Sequence, residues 1–425
     1  MNNTKVGLAL SGGGYRAAAY HLGTLRALHK LGVLNKIQII SSVSGGSIAA
    51  SYYLLNRGDF DLFYKDFYKK LGSGILSLVL LNIVCVVSLI VLILNFFTSP
   101  CVVAIVVICL WRFWYKIFPF SYLVEKELSW KYFSSKTLSD LPDSPALVIN
   151  TTDVSQGRLF KFSKNRAWGY DYRGDDKKDA FTGRNFPIST AVIASCCVPF
   201  AFTPVRMSEK YRINNKFKCP LLVDGGLYDN QGVHVFSKQS CQVHYIVVSN
   251  AGNSALSDKN IYNVFKMLRS TSEILMKRIE RMQAYQNMFA SSNTKRRYAY
   301  CNLDYEASDR LITSFVKNIE KGLVPKEVYT LHGILESQVE ALQNSKTTVS
   351  DKADTIRNKM ILSVKDSVQW DRLVELCPNS KESELAKSVK TSLLGLSESE
   401  RDALIKYAEW MTTIQVRMYL PNILN

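Results

Sequence analysis

Short apolar runs of strand length recur through the first 255 residues, and helical patterns lie between several of them. Residues 6–10 and 37–40 have the character of buried strands, and leucines recur at helical spacing between them, up to Gly32. Further strands are predicted at residues 146–150, 221–223 and 245–249. Strands that alternate with helices predict an α/β fold, with a mainly parallel sheet sandwiched by helices.

A stretch of 23 residues without a charge, Ile75 to Phe97, interrupts this pattern. As a helix it would be roughly 34 Å long, enough to cross a hydrocarbon core of about 30 Å. A Thr-Ser-Pro break follows, and then a second apolar run, residues 101–111, that ends in aromatic and basic residues typical of a membrane interface. We predict a transmembrane or re-entrant helical hairpin over residues 71–120. The alternative is a helical hairpin buried in a soluble core.

The charges on either side of the hairpin predict its orientation. Three lysines, at positions 65, 69 and 70, precede it, and Arg112, Lys116 and Lys126 follow it, whereas the turn between the limbs carries no charge. By the positive-inside rule both flanks lie in the cytoplasm. The expected location is therefore a membrane, with the α/β part of the chain on its cytoplasmic face.

The remaining organisation follows from the position of the hairpin. Residues 1–70 and 121–255 are predicted as two parts of one α/β domain. Residues 256–425 change to helical periodicity and contain a capping box, Ser397 and Glu400, near their end. We predict a helical C-terminal region packed on the α/β domain.

Composition excludes some classes of protein and narrows the partners. Of 425 residues, 47% are hydrophobic and 21% are charged, which is too apolar for a disordered chain. The formal charge is +17, from 53 Lys and Arg against 36 Asp and Glu, and it suits an anionic membrane, an acidic substrate or a nucleic acid. Nine cysteines without a Cys-x-x-Cys pair predict reduced thiols, with neither a disulfide framework nor a zinc site. The first residues lack the pattern of a signal peptide.

A glycine cluster, Gly12-Gly13-Gly14, lies between the first predicted strand and the first helix. Glycines there let the backbone turn sharply and point several N–H groups at one place, beside the positive end of the helix dipole. Such a loop can hold a phosphate or stabilise an oxyanion, and it also occurs for packing alone. Arg16 opposes the helix dipole, so it either meets an anion such as a lipid phosphate or is an ordinary solvated or ion-paired arginine.

A second motif, Ser42-Val43-Ser44-Gly45-Gly46-Ser47, follows the strand that ends at Ile40. A serine on a tight strand-to-helix turn, here Ser44, presents its hydroxyl to a cleft, and the N–H of Gly45 can join the oxyanion donors. Ser47 is a competing hydroxyl, one turn into the helix.

A serine nucleophile needs a base. None of the five histidines lies in a recognisable triad context, so the better candidate is Asp224, which ends a predicted strand and precedes two glycines. A plain Asp-Gly turn is the alternative. The chain thus contains a glycine loop, a serine on a tight turn and an aspartate at the end of a strand. Their occurrence in this order indicates a serine hydrolase site.

These motifs resemble those of the patatin-like phospholipase family. Residues 11–17 resemble its glycine-rich oxyanion motif, residues 43–47 its nucleophile elbow, and residues 194–205 the block before its acid. The Asp224-Gly225-Gly226 segment resembles the motif with the dyad aspartate. The resemblance covers residues 4–55 and 143–255, with two departures in which Ser11 replaces an aspartate and Ser42 a glycine.

The resemblance implies an α/β core of the kind found in cytosolic phospholipase A2, and a Ser–Asp dyad without histidine that hydrolyses acyl esters of lipids. It makes Ser44 the nucleophile and Asp224 the base. It also assigns oxyanion N–H groups to Gly12, Gly13, Gly14 and Gly45, and contact with the substrate phosphate to Arg16. It implies neither a metal nor a cofactor.

We therefore expect a membrane-anchored lipid acyl hydrolase, of phospholipase A or lysophospholipase type, that acts on membrane phospholipids or other acyl lipids. One alternative is an acyltransferase that uses the same dyad, and another is a membrane scaffold without catalysis. A nucleic-acid binder finds support only in the net charge, because no nucleic-acid motif accompanies it. The lipid class and any protein partner stay open.

Overall fold

The computed structural model describes residues 5–96, 99–174, 178–199, 201–237, 241–252, 264–293, 296–343 and 350–424. Three parts of the predictions lie outside these residues: Phe97 at the end of the apolar run, Phe200 in the block before the aspartate, and residues 256–263 at the start of the C-terminal region. All of the predicted site residues are described.

Ten strands form one mixed sheet in the described part of the chain. They are β1 (Val6–Leu10), β2 (Ile37–Ser42), β3 (Ala146–Asp153), β4 (Arg158–Ser163), β5 (Asn165–Gly169), β6 (Phe181–Gly183), β7 (Val205–Arg206), β8 (Leu221–Asp224), β9 (Tyr245–Asn250) and β10 (Arg297–Asn302). The order is β10-β9-β1-β2-β3-β4-β5-β6, with β8 beside β3 and β7 beside β8. The first five strands in this order are parallel, and the pairs from β3 outward are antiparallel.

Helices flank the sheet. They are α1 (Gly14–Lys30), α2 (Gly45–Leu55), α3 (Phe60–Leu71), α4 (Ser77–Phe96), α5 (Pro100–Arg112), α6 (Trp114–Ile117), α7 (Phe120–Leu128), α8 (Ile188–Cys196), α9 (Gly226–Asp229), α10 (His234–Ser237), α11 (Val264–Asn293), α12 (Arg310–Glu320), α13 (Lys326–Tyr329), α14 (Glu336–Gln343), α15 (Ser350–Ser367), α16 (Trp370–Glu375), α17 (Ser380–Ser388) and α18 (Glu398–Tyr419). The predicted α/β fold is confirmed. Of the antiparallel strands, β8 was predicted as a strand at residues 221–223, whereas β4 to β7 and the antiparallel pairing were not predicted.

Alternation along the parallel strands builds a core on each side of the sheet. In β9, Val247 belongs to the large cluster that includes α1 and α18, whereas Ile246 and Val248 belong to a smaller cluster with Phe236 of α10. Successive strand side chains point to opposite faces, so an apolar run such as β9 serves both clusters. The sheet is therefore buried on both faces, as parallel strands require.

The C-terminal region is mostly helical, but it also supplies the edge strand β10. That strand was not predicted because its sequence, from Arg297 to Asn302, is not a uniform apolar run. The predicted capping box is confirmed: the Glu400 N–H donates to Ser397 Oγ, and the Ser397 N–H donates to the Glu400 carboxylate. The helix that it starts, α18, is buried along α1 in the same large cluster as the sheet.

The predicted hairpin forms two apolar helices, α4 and α5. By length and composition α4 can cross a membrane, and only 6% of its most apolar window is buried. Leu81 and Val84 of α4 are 59% and 61% exposed, so the alternative of a hairpin buried in a soluble core is wrong. The segment after α4 could make a second span only as a bent pair, Pro100–Arg112 with Trp114–Phe133, at 82°. A two-limbed membrane hairpin therefore stays a prediction.

Candidate active site

Ser44 occupies the turn between β2 and α2 with a φ of 49° and a ψ of −121°. A positive φ is strained for a serine and persists only where the surroundings hold it. The Ser44 N–H donates to Ser195 Oγ at 2.8 Å, and the Ser195 hydroxyl donates to the Asn150 carbonyl at 2.7 Å. Ser195, at the end of α8, therefore holds the strained turn in place, although it lies 151 positions from Ser44 in the sequence.

Two glycines after Ser44 allow the turn to press against the glycine loop. A Cβ on Gly45 would lie 2.0 Å from the Gly14 carbonyl oxygen, and one on Gly46 would lie 2.5 Å from the Leu10 carbonyl oxygen. Backbone lies where any side chain would have to go, so only glycine fits at these two positions. The close approach brings the predicted nucleophile and the predicted oxyanion loop together.

The sheet register brings Asp224 to Ser44. In the parallel pair β2–β3, Ser42 lies opposite Ile149, and two residues further along β3, Thr151 lies opposite Asp224 of β8. Because β8 is antiparallel to β3, Asp224 ends its strand beside the turn that carries Ser44. The sequence predicted the strand end correctly, but not the antiparallel pairing that makes it useful.

Asp224 is a buried carboxyl group with few partners. The Gly226 N–H donates to its Oδ1 at 2.7 Å, and the Ser44 side chain lies close enough to act on the pKa of the carboxyl group. Burial raises the pKa of Asp224 from 3.8 to about 7, although the Gly226 N–H and the Ser44 side chain act in the opposite direction. A carboxyl group with a pKa near neutrality, beside a serine side chain, has the properties of a general base.

The glycine loop has the positive-φ conformation that its composition predicts, with φ of 138° at Gly13 and 61° at Gly14. The loop is also packed tightly, since a Cβ on Gly14 would lie 2.3 Å from the Ser392 carbonyl oxygen. The Gly12 N–H donates to the Asn230 carbonyl oxygen at 3.0 Å. Gly12 would have to leave that bond to bind an oxyanion, and the oxyanion roles of all four glycines stay predictions.

Arg16 lies inside the protein. It is 8% exposed, one guanidinium nitrogen donates to the Val389 carbonyl at 3.2 Å, and its Nε has no hydrogen-bond partner among the described residues. Burial lowers its pKa to about 10, which the charges of Asp304, Glu273 and Glu280 oppose. The charges of three acids thus favour the ionised guanidinium, and its predicted contact with a substrate phosphate stays a prediction.

His21 is buried beside the glycine loop, but both ring nitrogens are engaged. Nδ1 lies 2.8 Å from Ser249 Oγ and Nε2 lies 2.9 Å from the Ser11 carbonyl oxygen. Burial lowers the pKa of His21 to about 4, so the ring is neutral. Across the described residues, no cluster of histidine, cysteine or acidic side chains could hold a metal ion.

The chain that returns from α5 and α6 contacts the segment before Asp224. Ser121 Oγ of α7 lies 2.9 Å from Cys197 Sγ, and the Thr203 hydroxyl donates to the Phe118 carbonyl at 3.2 Å. The Asp224 N–H donates to the Cys197 carbonyl at 2.9 Å. Phe118 and Ser121 form the base of the apolar hairpin. Cys197 thus contacts both this base, through Ser121, and Asp224 of the candidate dyad.

The long helix α11 borders the site on another side. A Cβ on Gly226 would lie 3.0 Å from Met276 Cε of this helix. Between Leu227 and α11 lies a cavity of about 360 Å³, lined by Leu227, Ser272, Leu275, Met276, Arg278, Ile279 and Met282. A larger cavity, of about 500 Å³, lies beside β10 and α12 and shares no lining residue with the site. The smaller cavity begins at Leu227, three residues after Asp224, and neither residue of the candidate dyad lines it.

Three residues of the site escaped the sequence analysis as functional residues. Ser195 supports Ser44, and the Asn230 side chain donates to Glu280 of α11 at 2.6 Å. Asn230 follows the Asp224-Gly225-Gly226 motif closely in the sequence. This proximity is the only local feature that could have indicated a functional role for Asn230. Glu280 has no such local feature, because the pattern of an amphipathic helix does not indicate which of its acids contacts another segment.

Comparison with known proteins supports the motifs. A family model described as patatin-like phospholipase matches residues 8–237. Triacylglycerol lipase ptl3 of Schizosaccharomyces pombe is 26% identical to this chain over 250 residues, which are 57% of this chain and 44% of that protein. The chain thus spans less than half the length of this curated relative.

Solved structures show fainter likenesses. Human GIVD cytosolic phospholipase A2 has 13% identity and a TM-score of 0.36, covering 57% of this chain and 45% of that one. VipD from Legionella pneumophila has 15% identity and a TM-score of 0.29, covering 96% and 91%. With TM-scores this low, neither structure supports a conclusion about the function of this chain.

Proposed function

The chain belongs to the patatin-like phospholipase family, and from this premise we propose that it is a lipid acyl hydrolase that cleaves carboxylic esters through Ser44 and Asp224. The observation that carries the proposal is the position of the buried Asp224 carboxyl group, which the sheet register brings beside Ser44 and whose pKa the Ser44 side chain lowers. This pair is the smallest unit that can both attack an ester and accept a proton.

The proposed reaction has two steps. Ser44 Oγ attacks the ester carbonyl carbon while its proton passes to Asp224, and N–H groups of the glycine loop stabilise the oxyanion. Loss of the alcohol, which takes the proton back from Asp224, leaves an acyl-enzyme. Asp224 then accepts a proton from water, the hydroxide attacks the acyl carbonyl, and Ser44 recovers its proton as the fatty acid leaves.

The substrate class is proposed from the cavity between Leu227 and α11. Five of its seven lining residues are leucine, isoleucine or methionine, and the other two are Ser272 and Arg278. Unbranched, flexible methionines suit a flexible acyl chain, and the volume of about 360 Å³ falls in the usual range for ligand sites. We place the acyl chain of a phospholipid or lysophospholipid here. A neutral glyceride is the alternative that the name of the yeast relative suggests.

Membrane anchoring is part of the proposal. The exposed apolar side chains of α4 and α5 form a surface that water cannot solvate at an acceptable free energy, and a bilayer would cover it. The base of this hairpin contacts the segment before Asp224, so an anchored chain would hold its site close to lipid. The basic flanks favour the cytoplasmic face.

The decisive experiment measures acyl release from labelled phospholipids and glycerides by the detergent-purified chain. We expect release by the native protein and none by Ser44→Ala or Asp224→Asn. Ser47→Ala, which removes the competing hydroxyl, serves as the matched control and should retain activity. An alkyl fluorophosphonate should label Ser44, and peptide mapping identifies the labelled residue. Full activity of Ser44→Ala would overturn the assignment. Acyl transfer to added glycerol in preference to water would favour the acyltransferase.

A further inference from the structure

Glu280 is the residue of α11 that hydrogen bonds to Asn230, in the segment that follows Asp224. It is partly buried although α11 has an exposed apolar face, and burial of its carboxyl group raises its pKa. Its Oε1 accepts the Asn230 side-chain N–H at 2.6 Å, and a Cβ on Gly252 would lie 3.5 Å from its Oε2. The reaction proposed above gives this carboxylate no role.

Asn230 lies between the two loops that the reaction needs. A Cβ on Gly12 would lie 2.4 Å from Asn230 Oδ1, and a Cβ on Gly226 would lie 2.7 Å from the same atom. The Asn230 carbonyl also accepts the Gly12 N–H at 3.0 Å. Because Gly226 bonds to Asp224, one asparagine contacts both the oxyanion loop and the loop that holds the base.

The orientation of the Asn230 amide depends on Glu280. A carboxamide can rotate to exchange its oxygen and nitrogen, and the neighbouring groups decide which arrangement persists. Glu280 accepts but does not donate when it is ionised, so it holds the amide nitrogen toward α11 and the oxygen toward the glycines. In the rotated arrangement two oxygens would face each other in a part-buried contact, which is unfavourable.

We propose that Glu280 is a positioning residue, which orients Asn230 and so sets the spacing between the glycine loop and the Asp224 loop. The proposal rests on the proposed function, because that spacing matters only if oxyanion donors and base act on one carbonyl group. Displacement of about 1 Å in such a site can cost on the order of a hundredfold in rate.

The test compares kcat and KM on one lipid ester. Glu280→Ala should lower kcat by roughly tenfold to a hundredfold and leave KM within about threefold, because the substrate still binds while the reacting groups are misaligned. Glu280→Gln keeps an acceptor at Oε1 and should remain within about threefold of the native kcat. Gln286→Ala, on the exposed side of α11, is the matched control and should change neither constant.

A double variant separates positioning from general damage to the fold. If Glu280 acts through Asn230, the double variant Glu280→Ala with Asn230→Ala should lose no more activity than Asn230→Ala alone. Additive losses would overturn the proposal. So would an unchanged kcat in Glu280→Ala, or a Gln variant as impaired as the Ala variant.

Hydrogen exchange tests the same coupling without any turnover. In Glu280→Ala, peptides that cover residues 10–16 and 224–232 should exchange faster than in the native chain, while Glu280→Gln should match it. Equal exchange in all three would overturn the proposal. If exchange changes as expected but the native chain neither hydrolyses lipid nor reacts with fluorophosphonate, the proposed function fails and the positioning contact stands.

Discussion

Two uncharged helices of this chain have opposite surroundings. In α2, which follows Ser44, the side chains of Ile48, Ala49 and Ala50 are fully buried between the sheet and its neighbouring helices. In α4, Leu81 and Val84 are more than half exposed. Hydrophobicity alone therefore does not decide where a helix packs. The small residues of α2 allow close contact with the glycine loop, whereas the protein offers α4 no surface of matching length.

Gly45→Ala should produce the largest effect, because it breaks the close packing that distinguishes α2. The new Cβ would lie 2.0 Å from a backbone oxygen, so the turn must open at a cost of about 3 kcal/mol or more. We expect loss of fluorophosphonate labelling and a lower melting temperature. Gly58→Ala, with open space around its Cβ, is the control and should be neutral. Retained labelling in Gly45→Ala would contradict this prediction, because it would show that the glycine loop can move away from the new Cβ without loss of the active conformation.

Replacing residues 80–116 with a short glycine-serine linker tests the other side of the comparison. Ile75 and Val79 stay, because they are buried in the core. If α4 and α5 serve the bilayer, the shortened chain should move from the membrane pellet to the soluble fraction by more than tenfold. Labelling of Ser44 by a short fluorophosphonate should stay within about threefold. A shortened chain that aggregates or remains in the pellet after a salt wash would contradict an anchoring role.

The pH dependence of the reaction tests the role of the buried Asp224 carboxyl group. Asp224 must be ionised to accept a proton, and its pKa is about 7. We therefore expect kcat/KM to rise roughly tenfold per pH unit below pH 7 and to level off above it. Acyl release from one short-chain ester across pH 5–9 measures this. A flat profile, or one that falls with rising pH, would exclude Asp224 as the base.

The same raised pKa predicts an effect on stability. Because folding raises the pKa of Asp224 from 3.8 to about 7, the folded chain loses stability as pH rises between those values. Asp224→Asn removes this loss, so it should be more stable than the native chain at pH 8, by up to roughly 4 kcal/mol. The difference should vanish near pH 4. Thermal melting at both pH values measures it, and a destabilised Asn variant at pH 8 would be the contrary result.

Ser195→Ala should have the smallest effect of this set. It removes the acceptor for the Ser44 N–H and leaves that donor buried, at a cost of about 1–3 kcal/mol. We expect a modest fall in melting temperature and a roughly tenfold slower reaction with fluorophosphonate, since the strained turn loses its support. Ser189→Ala, in the same helix, is the matched control. Equal labelling rates would show that packing alone holds Ser44.

Local patterns in the sequence were sufficient for much of this protein. Apolar runs indicated every parallel strand except β10, glycines indicated the positive-φ loop, and the spacing of Ser397 and Glu400 predicted the start of α18. These features depend on neighbours within a few residues, so they can be predicted from local composition and periodicity. The apolar run at 75–97 likewise predicted a helix, although its membrane role stays a proposal.

Only the tertiary structure decided how the site is assembled. The antiparallel pairing of β8 with β3 brings Asp224 to Ser44, Ser195 supports the turn, and Asn230 with Glu280 joins α11 to both loops. Each of these contacts joins residues between 50 and 151 positions apart, or depends on strand register. Burial alone raises the pKa of Asp224, and burial is a property of the packed chain. The sequence by itself determined which groups are present; their separation, orientation and acidity arise only when distant segments pack together.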